Sequence, residues 1–337
     1  MFERRRFLAR AVQLAVAGGF FGPAAAATPS RATISVPGPG NLLFLPITLA
    51  SKIGADLAEG VELDIRYTGG GPQAIRAMLE RNSDFAAAGL SALALQKLNG
   101  KPVVCIAPMT RVPAYTLLVR ANLRGKVKAM ADLKGRVVGV KGHVPGGRST
   151  SQLFTEYLLA QAGLKPDQVN YVSAGQSYDS QHAALSSGSV DAIMGDEPFV
   201  TRLVRQKVAF PLADYHDPET TRKQMGGLFL NGMVATREDM IAARPELVEK
   251  VVRTLKRTLL WVAAHKAQDL VEALGPSEPE ERKALLDVLQ LRKNVYSPDG
   301  RISDEQLATV DRFLRAPEPE VVAKGLSVRS LVDARWA

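Results

Sequence analysis

The chain reads Ala77-Met78-Leu79-Glu80-Arg81-Asn82-Ser83-Asp84-Phe85 and later repeats that outline as Ala184-Leu185-Ser186-Ser187-Gly188-Ser189-Val190-Asp191-Ala192. In each copy an alanine and an apolar residue end a predicted helix, and an aspartate seven residues after the alanine opens a short apolar strand. Further along, Lys101–Ala107 corresponds to Lys207–Ala213. The separation of this second pair of stretches agrees with that of the first pair to within one residue. The repeat predicts two similar α/β halves, and two facing halves form a cleft suited to a ligand.

Short apolar strands alternate with helical patterns along most of the chain, which predicts parallel sheets flanked by helices. The first helix is expected over 46–57, and two extended segments at 115–120 and 228–235 are expected to cross between the halves. The remaining strand patterns lie at 33–36, 61–67, 85–88, 103–107, 136–140, 169–172, 192–194 and 208–212. We therefore predict an α/β fold of two lobes, each a mostly parallel sheet flanked by helices.

The expected division places residues 31–120 and 225–337 in lobe 1 and residues 121–224 in lobe 2, with the ligand cleft and the hinge between them. A length of 337 residues suits two lobes better than one core. No linker or low-complexity tract separates the lobes, which favours two chain crossings over independent domains. The last part of the chain is helical, and we expect its helices to pack on lobe 1: 245–265, 278–291 and 303–314.

Residues 1–27 are typical of a cleavable export signal, with a basic start and an Ala-x-Ala cleavage site at Ala24–Ala27. The apolar segment Ala11–Phe21 is too short to span a hydrocarbon core of about 30 Å. The order Arg4-Arg5-Arg6-Phe7-Leu8 resembles a twin-arginine signal, and an ordinary secretory signal is the alternative. Because no cysteine follows the apolar segment, we expect a mature periplasmic protein without a lipid anchor.

Composition excludes several classes of function. The chain is 46% hydrophobic and 23% charged, as soluble globular proteins are. Its net charge is +9, but the basic residues form no dense stripe with aromatic residues, so we expect no nucleic-acid partner. The four histidines lack metal-ligand spacing, and no P-loop or dinucleotide fingerprint is present. We expect no catalytic residue, metal or cofactor, and we interpret Cys105 as a small buried hydrophobic residue.

Ligands of open α/β sheets bind beyond the carboxyl ends of the strands. That rule selects six loops, at 37–45, 68–72, 89–91, 141–150, 175–179 and 195–198. Several of them open helices, whose first N–H groups and positive dipole ends would point into the cleft. The candidate ligand-binding residues on these loops are Asn41, Leu42, Gly70, Leu90, Ser91, Arg148, Ser149, Thr150, Tyr178, Asp196 and Glu197.

The strongest of these loops is 146–151. Its glycines allow close backbone approach, its hydroxyl groups donate hydrogen bonds, and Arg148 can hold an oxyanion through two parallel bonds. The alternative is a plain helix cap by Ser149 or Thr150, with Arg148 in solvent. Ser91 caps its helix under either interpretation.

Two other loops leave alternatives open. Asp196 and Glu197 end a strand and would bond a ligand amine or the opposite lobe on closure, or Asp196 would cap the helix that Pro198 opens. Asn41 would cap a helix or touch the ligand, and Leu42 would line the mouth of the cleft or belong to the core.

The chain resembles the substrate-binding proteins of ABC importers for nitrate, sulfonates, taurine and related compounds, whose fold also serves the binding of pyrimidine precursors. The resemblance covers most of residues 31–270 and rests on the order and spacing of several pieces. These pieces are 131–140 (Ala-Asp-Leu-Lys-Gly-Arg-Val-Val-Gly-Val), 147–150 (Gly-Arg-Ser-Thr), 158–164 (Leu-Leu-Ala-Gln-Ala-Gly-Leu), 184–198 and 244–248 (Arg-Pro-Glu-Leu-Val).

The resemblance implies a type II periplasmic-binding-protein fold, a monomer that closes on one small anionic or zwitterionic solute and docks on the transmembrane subunits of a permease. It places Asn41, Ser91, Arg148–Thr150 and Glu197 where family members contact ligand. An enzyme on the same scaffold, related to pyrimidine or menaquinone synthesis, is one alternative. The related pyrimidine synthases carry a cysteine-rich iron segment that this chain lacks. A ligand-binding sensory module is another alternative.

Overall fold

The structure is a computed structural model that describes residues 28–142, 148–315, 324–333 and 335–336. The predicted export signal at residues 1–27 lies outside the described residues. The strands of the described part are, in chain order, β1 (Ser30–Val36), β2 (Val61–Tyr67), β3 (Phe85–Gly89), β4 (Val103–Pro108), β5 (Thr116–Arg120), β6 (Val137–Val140), β7 (Asn170–Ser173), β8 (Ala192–Gly195), β9 (Ala209–Asp214) and β10 (Gly232–Arg237).

The strands form two five-stranded sheets with the same plan. The first has the order β2-β1-β3-β10-β4 and the second the order β7-β6-β8-β5-β9. In the first sheet β1 pairs in parallel with β2 and β3, whereas β10 runs antiparallel to β3 and β4. The second sheet repeats this pattern, with β5 as the reversed strand. Four strands of each sheet therefore point one way and one reverses, which confirms the predicted fold class.

The repeated sequence stretches occupy equivalent places in the two sheets. Phe85 opens β3 and Ala192 opens β8, and these two strands hold the same position in their sheet orders. Each reversed strand is formed where the chain passes between the sheets. The segments predicted to cross, 115–120 and 228–235, contain β5 and the first part of β10.

The helices connect the strands and cover the sheets. They are α1 (Leu45–Lys52), α2 (Ala55–Ala58), α3 (Gly71–Leu79), α4 (Leu90–Leu98), α5 (Thr150–Gln161), α6 (Tyr178–Ser187), α7 (Phe199–Arg205), α8 (Pro218–Met225), α9 (Glu238–Ala243), α10 (Pro245–Ala264), α11 (Ala267–Leu274), α12 (Pro279–Arg292) and α13 (Asp304–Arg315). The single helix expected over 46–57 is wrong, because Gly54 takes a left-handed φ of 69° and divides it into α1 and α2. None of the helices in the described segments is long and apolar enough to cross a membrane.

The C-terminal helices do not all pack on the first sheet. Helix α10 lies on α1, α2 and strands of the first sheet, as expected, whereas α12 also contacts α7 of the second. The α12 contact is charged, because Asp287 pairs with Arg205 and the Arg292 guanidinium donates two hydrogen bonds, of 2.9 and 2.7 Å, to Asp214. Burial raises the pKa of Asp214, but hydrogen bonds from His216 and Arg292 outweigh it and hold that pKa well below its usual range. Helix α12 therefore joins the two halves.

An aromatic cluster lies where the chain crosses between the sheets. Phe154 of α5 is fully buried at its centre. Its ring centroid lies 5.8 Å from Tyr115, 5.0 Å from Tyr215, 6.2 Å from Phe229 and 5.9 Å from Phe313. Tyr115 precedes β5 and Phe229 precedes β10, so one side chain packs on both crossings. The apolar core of the first sheet thereby continues onto one face of the second.

The substitution Phe154→Ala should lower the free energy of unfolding by about 3–5 kcal/mol, since it removes a fully buried ring and leaves a cavity at both crossings. Urea unfolding followed by circular dichroism measures this change. Leu57→Ala is the control, because Leu57 is 56% exposed and its loss should stay within about 0.5 kcal/mol. Equal effects of the two substitutions would contradict the role given to the aromatic cluster.

Candidate functional site

The two sheets point the carboxyl ends of their strands at one another, and a cavity lies between them. Pro37 follows β1, Gly89 ends β3, Lys141 follows β6 and Asp196 follows β8, and all four line the cavity. The rest of its lining is Asn41, Leu43, Phe44, Gly71, Ala92, Tyr115, Ser149, Thr150, Ser151 and Gln176. Each of the six loops selected by the strand-end rule is represented at or next to this lining.

Contacts between the halves close this cavity at several points. The Leu42 N–H donates a 3.0 Å hydrogen bond to the Glu197 carbonyl, and the Ala92 N–H donates a 3.3 Å bond to Thr150 Oγ1. Gly89 packs so closely on Thr150 that an added Cβ would lie 2.1 Å from Thr150 Oγ1. At Gly70 an added Cβ would lie 2.9 Å from the Cα of Gly142. The structure therefore shows the lobes in a closed arrangement that only small residues permit.

A buried ion pair forms one wall of the cavity. Lys141 Nζ lies 2.6 and 2.5 Å from the two carboxylate oxygens of Asp196. Lys141 is 6% exposed and Asp196 is 0% exposed. A buried carboxylate is tolerated when a cation and its hydrogen bonds compensate it, so this wall carries no net charge.

The ion pair follows from the sheet order, although sequence analysis treated Asp196 without Lys141. Strands β6 and β8 are parallel neighbours, with Gly139 opposite Ile193. Continuing this register places Lys141 beside the end of β8, so the first residues after the two strands meet. Knowledge of which strands are neighbours would have identified the pair; the residue pattern alone does not contain it.

Three helices begin at the cavity: α3 and α4 from the first half and α5 from the second. Helix α5 starts at Thr150, and the Ser149 side chain caps it by accepting a hydrogen bond from the Gln152 N–H. Ser151 Oγ accepts a 3.0 Å bond from the Lys141 N–H and lies 2.9 Å from Ser149 Oγ. Helix α4 starts at Leu90, directly after β3. Helix α3 starts at Gly71, which lines the cavity. The positive ends of all three helix dipoles therefore lie at the cavity, which favours an acceptor or anionic group there.

Unused hydrogen-bonding groups lie behind the cavity wall. Ser91 Oγ and Asn231 Oδ1 are buried and have no hydrogen-bond partner among the described residues. The prediction that Ser91 caps its helix is therefore wrong, because Ser91 is the second residue of α4 and its hydroxyl accepts no bond from the first turn. Ser91 sits between Gly89 and Ala92, which line the cavity, and the Asn231 carbonyl accepts the Leu90 N–H at 2.9 Å. Buried polar groups without partners are rare and costly, so these two atoms mark a place where a further polar group is accommodated.

Tyr115 adds a hydroxyl group to the cavity. Burial is the main cause that raises its pKa, and the negative charge of Asp196 acts in the same direction. The phenol therefore stays protonated at neutral pH and remains able to donate a hydrogen bond. Tyr115, Lys141, Ser151 and Gln176 are the polar cavity residues that sequence analysis did not name.

Three predicted site residues are engaged elsewhere and do not line the cavity. Arg148 Nη1 donates a 3.0 Å hydrogen bond to Glu156 Oε2 within α5, rather than standing in solvent. The Tyr178 ring lies 3.6 Å from the guanidinium carbon of Arg202. The Glu197 carboxylate accepts two 3.0 Å bonds from Thr201 and so caps α7.

The other predicted residues contribute to the site through backbone hydrogen bonds, by capping a turn, or through an ion pair. Leu42 and Leu90 are buried core residues whose N–H groups make the contacts given above. Asn41 lines the cavity and caps the following turn, since its Oδ1 accepts a 2.8 Å bond from the Leu43 N–H. Asp196 pairs with Lys141 instead of capping the next helix by its side chain. The predicted glycines 146 and 147 lie outside the described residues.

Metal and thiol chemistry find no support in the part of the chain that the structure describes. No group of three or more histidine, cysteine, aspartate or glutamate residues there is placed to hold a metal ion. Cys105 is fully buried in β4, and burial raises the pKa of its thiol well above the usual value. A thiol in such a setting is inert.

The substitution Lys141→Met should lower the free energy of unfolding by about 3–5 kcal/mol, because it leaves the Asp196 carboxylate buried without a cation. The double variant Lys141→Met/Asp196→Asn should recover at least half of that loss, since the uncompensated charge is gone. Urea unfolding measures both. Lys101→Met, at an exposed position, is the control. A double variant no more stable than the single one would contradict the ion pair's role.

The site can be compared with known proteins. The riboflavin-binding protein RibY of Chloroflexus aurantiacus is 27% identical over 309 residues, covering 87% of this chain and 83% of RibY. A solved protein of Bordetella bronchiseptica RB50 has a TM-score of 0.83 at 23% identity, covering 92% of this chain and 96% of that one. The alkanesulfonate-binding protein SsuA from Xanthomonas axonopodis, solved with MOPS, has a TM-score of 0.69 at 18% identity, covering 91% and 99%.

The same fold also includes an enzyme. The desulfurization enzyme DSZB has a TM-score of 0.58 at 16% identity, covering 91% of this chain and 97% of that one. These structural similarities show the periplasmic-binding-protein fold, and the family is decided by the sequence match. Residues 44–268, about two thirds of the chain, match the NMT1/THI5-like family over a region that contains every strand except β1 and most of the cavity lining. This chain belongs to the NMT1/THI5-like family.

Proposed function

We propose that the protein is the solute-binding component of an ABC importer, which captures a small anionic or zwitterionic organic solute in the periplasm. The observation that carries this proposal is the cavity between the carboxyl ends of two similar sheets, lined from both halves and closed by direct contacts. Hinge closure would bury the solute, and the closed form would dock on the transmembrane subunits of the permease. We propose that it acts as a monomer.

The electrostatics of the cavity support an acidic or strongly accepting head group. The Lys141–Asp196 pair is neutral as a unit, so the net field comes from the first turns of α3, α4 and α5. Each helix N-terminus acts as roughly half a positive charge. Hydroxyl groups of Ser149, Thr150 and Tyr115 add donors of adaptable direction. The amine of a zwitterion would find its partner in the Asp196 carboxylate.

The solute contacts that we propose combine predicted and newly found residues. From the sequence prediction we retain Asn41, Gly70, Ser91, Ser149, Thr150 and Asp196, and we add Tyr115, Lys141 and Ser151. Glu156 holds Arg148, so we propose that Arg148 fixes the first turns of α5 and does not grip the solute. Leu42 and Glu197 would then act in closure, through the backbone bond between them. The Leu90 N–H bonds within the first half, to the Asn231 carbonyl.

Relatives support solute binding in general and differ in what they bind. RibY is named for riboflavin and the Xanthomonas SsuA for alkanesulfonates, so both bind organic molecules. The similarity to DSZB keeps an enzyme on this scaffold as the alternative. The two functions predict different fates for the bound molecule, and one experiment separates them.

The solute class can be tested by a thermal-shift screen of residues 28–337 against nitrate, taurine, MOPS, short carboxylates, pyrimidines and riboflavin. A ligand at a hundred times its Kd should stabilise the fold by about 2.7 kcal/mol, which raises the Tm. Mass spectrometry after incubation should recover the ligand unchanged. Conversion of the ligand would establish the enzyme, and binding by none of the acidic compounds would overturn the proposed solute class.

The substitution Gly89→Ala should weaken binding of the best ligand from that screen at least about tenfold, or about 1.4 kcal/mol, because the new methyl group meets Thr150 and holds the lobes apart. Titration calorimetry measures the affinity, and small-angle scattering should show no compaction on ligand addition. Gly125→Ala is the matched control, since nothing lies within 4 Å of its added Cβ. Unchanged affinity in Gly89→Ala would show that this close approach is not required.

A further inference from the structure

A second, apolar pocket opens beside the cavity, and we call it the side pocket. Its walls come from the ends of β1 and β2, the loop 38–41, α1, and the segment 274–285 of α11 and α12. Pro198 adds a wall from the second half. The side pocket is therefore complete only when the two halves are together.

The side pocket and the cavity share a wall. Asn41 and Phe44 line both, and Pro198 lies two residues after the Asp196 of the buried ion pair. The two spaces therefore adjoin across these two side chains, one lined mainly by polar residues and the other mainly by apolar residues.

The sizes of the two spaces differ in a way that decides how a solute would lie. In the closed arrangement the cavity has a volume of about 30 Å³, room for about two water molecules or a compact head group. The side pocket has a volume of about 170 Å³, and an apolar cavity of about 150 Å³ holds a benzene molecule. The head of an organic solute fits the first space, and its body fits only the second.

The chemistry of the side pocket is apolar with one acid. Phe44, Leu274 and Leu285 are among its walls, together with the half-exposed ring of Tyr67. Glu281 also lines it, with Oε1 at 3.7 Å from the position of an added Gly40 Cβ. Among the described residues Glu281 makes no salt bridge and no side-chain hydrogen bond. This carboxylate is free to accept a bond from an amine or another donor on a bound molecule.

We propose that the side pocket binds the apolar body of the same solute whose acidic head lies in the cavity, and that Glu281 receives an amine or other donor at its far end. This inference rests on the proposed function and narrows its solute class to elongated organic acids with a ring or chain of about ring size. Nitrate and taurine would leave the side pocket empty and bind weakly.

Titration calorimetry with matched probes tests the proposal. The probes are methanesulfonate, benzenesulfonate and 4-(aminomethyl)benzenesulfonate, with acetate, benzoate and 4-(aminomethyl)benzoate as the carboxylate series. Replacing methyl by phenyl should improve the Kd about tenfold or more, because the ring leaves water for an apolar pocket. The aminomethyl group should improve it further, by about threefold or more, through a charged hydrogen bond to Glu281.

Substitutions in the side pocket test which of its residues produce each increase in affinity. Leu274→Trp fills the side pocket and should abolish the phenyl gain while the methyl probes keep their Kd, and Thr48→Phe should do the same from α1. Leu260→Trp, at an exposed helical leucine outside the pocket, is the matched control. Glu281→Gln should abolish only the aminomethyl gain, whereas Glu280→Gln, at an exposed position, should change nothing.

The outcomes separate the two proposals. Equal affinity for methyl and phenyl probes, or a phenyl gain that survives both filling variants, overturns the side pocket and leaves the solute-binding function standing. An aminomethyl gain that survives Glu281→Gln overturns the role of Glu281. Failure of every sulfonate and carboxylate to bind overturns the proposed solute class, and this inference with it.

Discussion

The two passages of the chain between the sheets are the constraint on which the site depends. After the first passage β5 opens the second sheet, which consecutive strands β5–β9 build, and after the second passage β10 returns to complete the first sheet. Because each sheet contains a reversed strand from a crossing, the two crossings lie side by side, and the Phe154 cluster packs on both. This arrangement fixes the carboxyl ends of the parallel strands toward each other. The cavity is therefore a consequence of topology, and its residues, apart from Tyr115 before β5, lie at or after the ends of β1, β2, β3, β6, β7 and β8.

Much of this fold was predictable because its signals are local. Apolar runs between turn residues located the strands, and the repeat at 77–85 and 184–192 gave two equivalent halves. Local signals failed where a backbone conformation or a tertiary contact determines where a helix ends or what it packs against. Gly54 divides a continuous apolar pattern by adopting positive φ, and the short helix α8, largely polar in sequence, was not predicted. That α12 reaches the second half depends on ion pairs such as Arg292–Asp214, whose partners are far apart in the chain.

The loops that form the candidate site were predictable from the sequence, whereas the side chains that line it were predictable only in part. The strand-end rule depends only on strand direction, which the alternation of strands and helices indicates. Which side chain enters the cavity depends on competing partners. Glu156, in the second turn of α5, engages Arg148, which precedes that helix, and Arg202 covers the Tyr178 ring. Lys141 was missed because its partner, Asp196, is brought to it by a neighbouring strand that a single sequence does not reveal.

The charges of this chain act at two distances. An excess of basic residues raises the rate at which a protein encounters an anionic solute. Salt screens this electrostatic attraction beyond about 8–10 Å. Inside the cavity the side-chain charges of Lys141 and Asp196 cancel, and the helix ends supply the remaining field. A field made by backbone dipoles is positioned by the fold itself, so it needs no charged side chain to be ordered when solute binds. Under the proposed function, selection among acidic solutes would then depend on the shape and the apolar surface that the site offers beyond the head group.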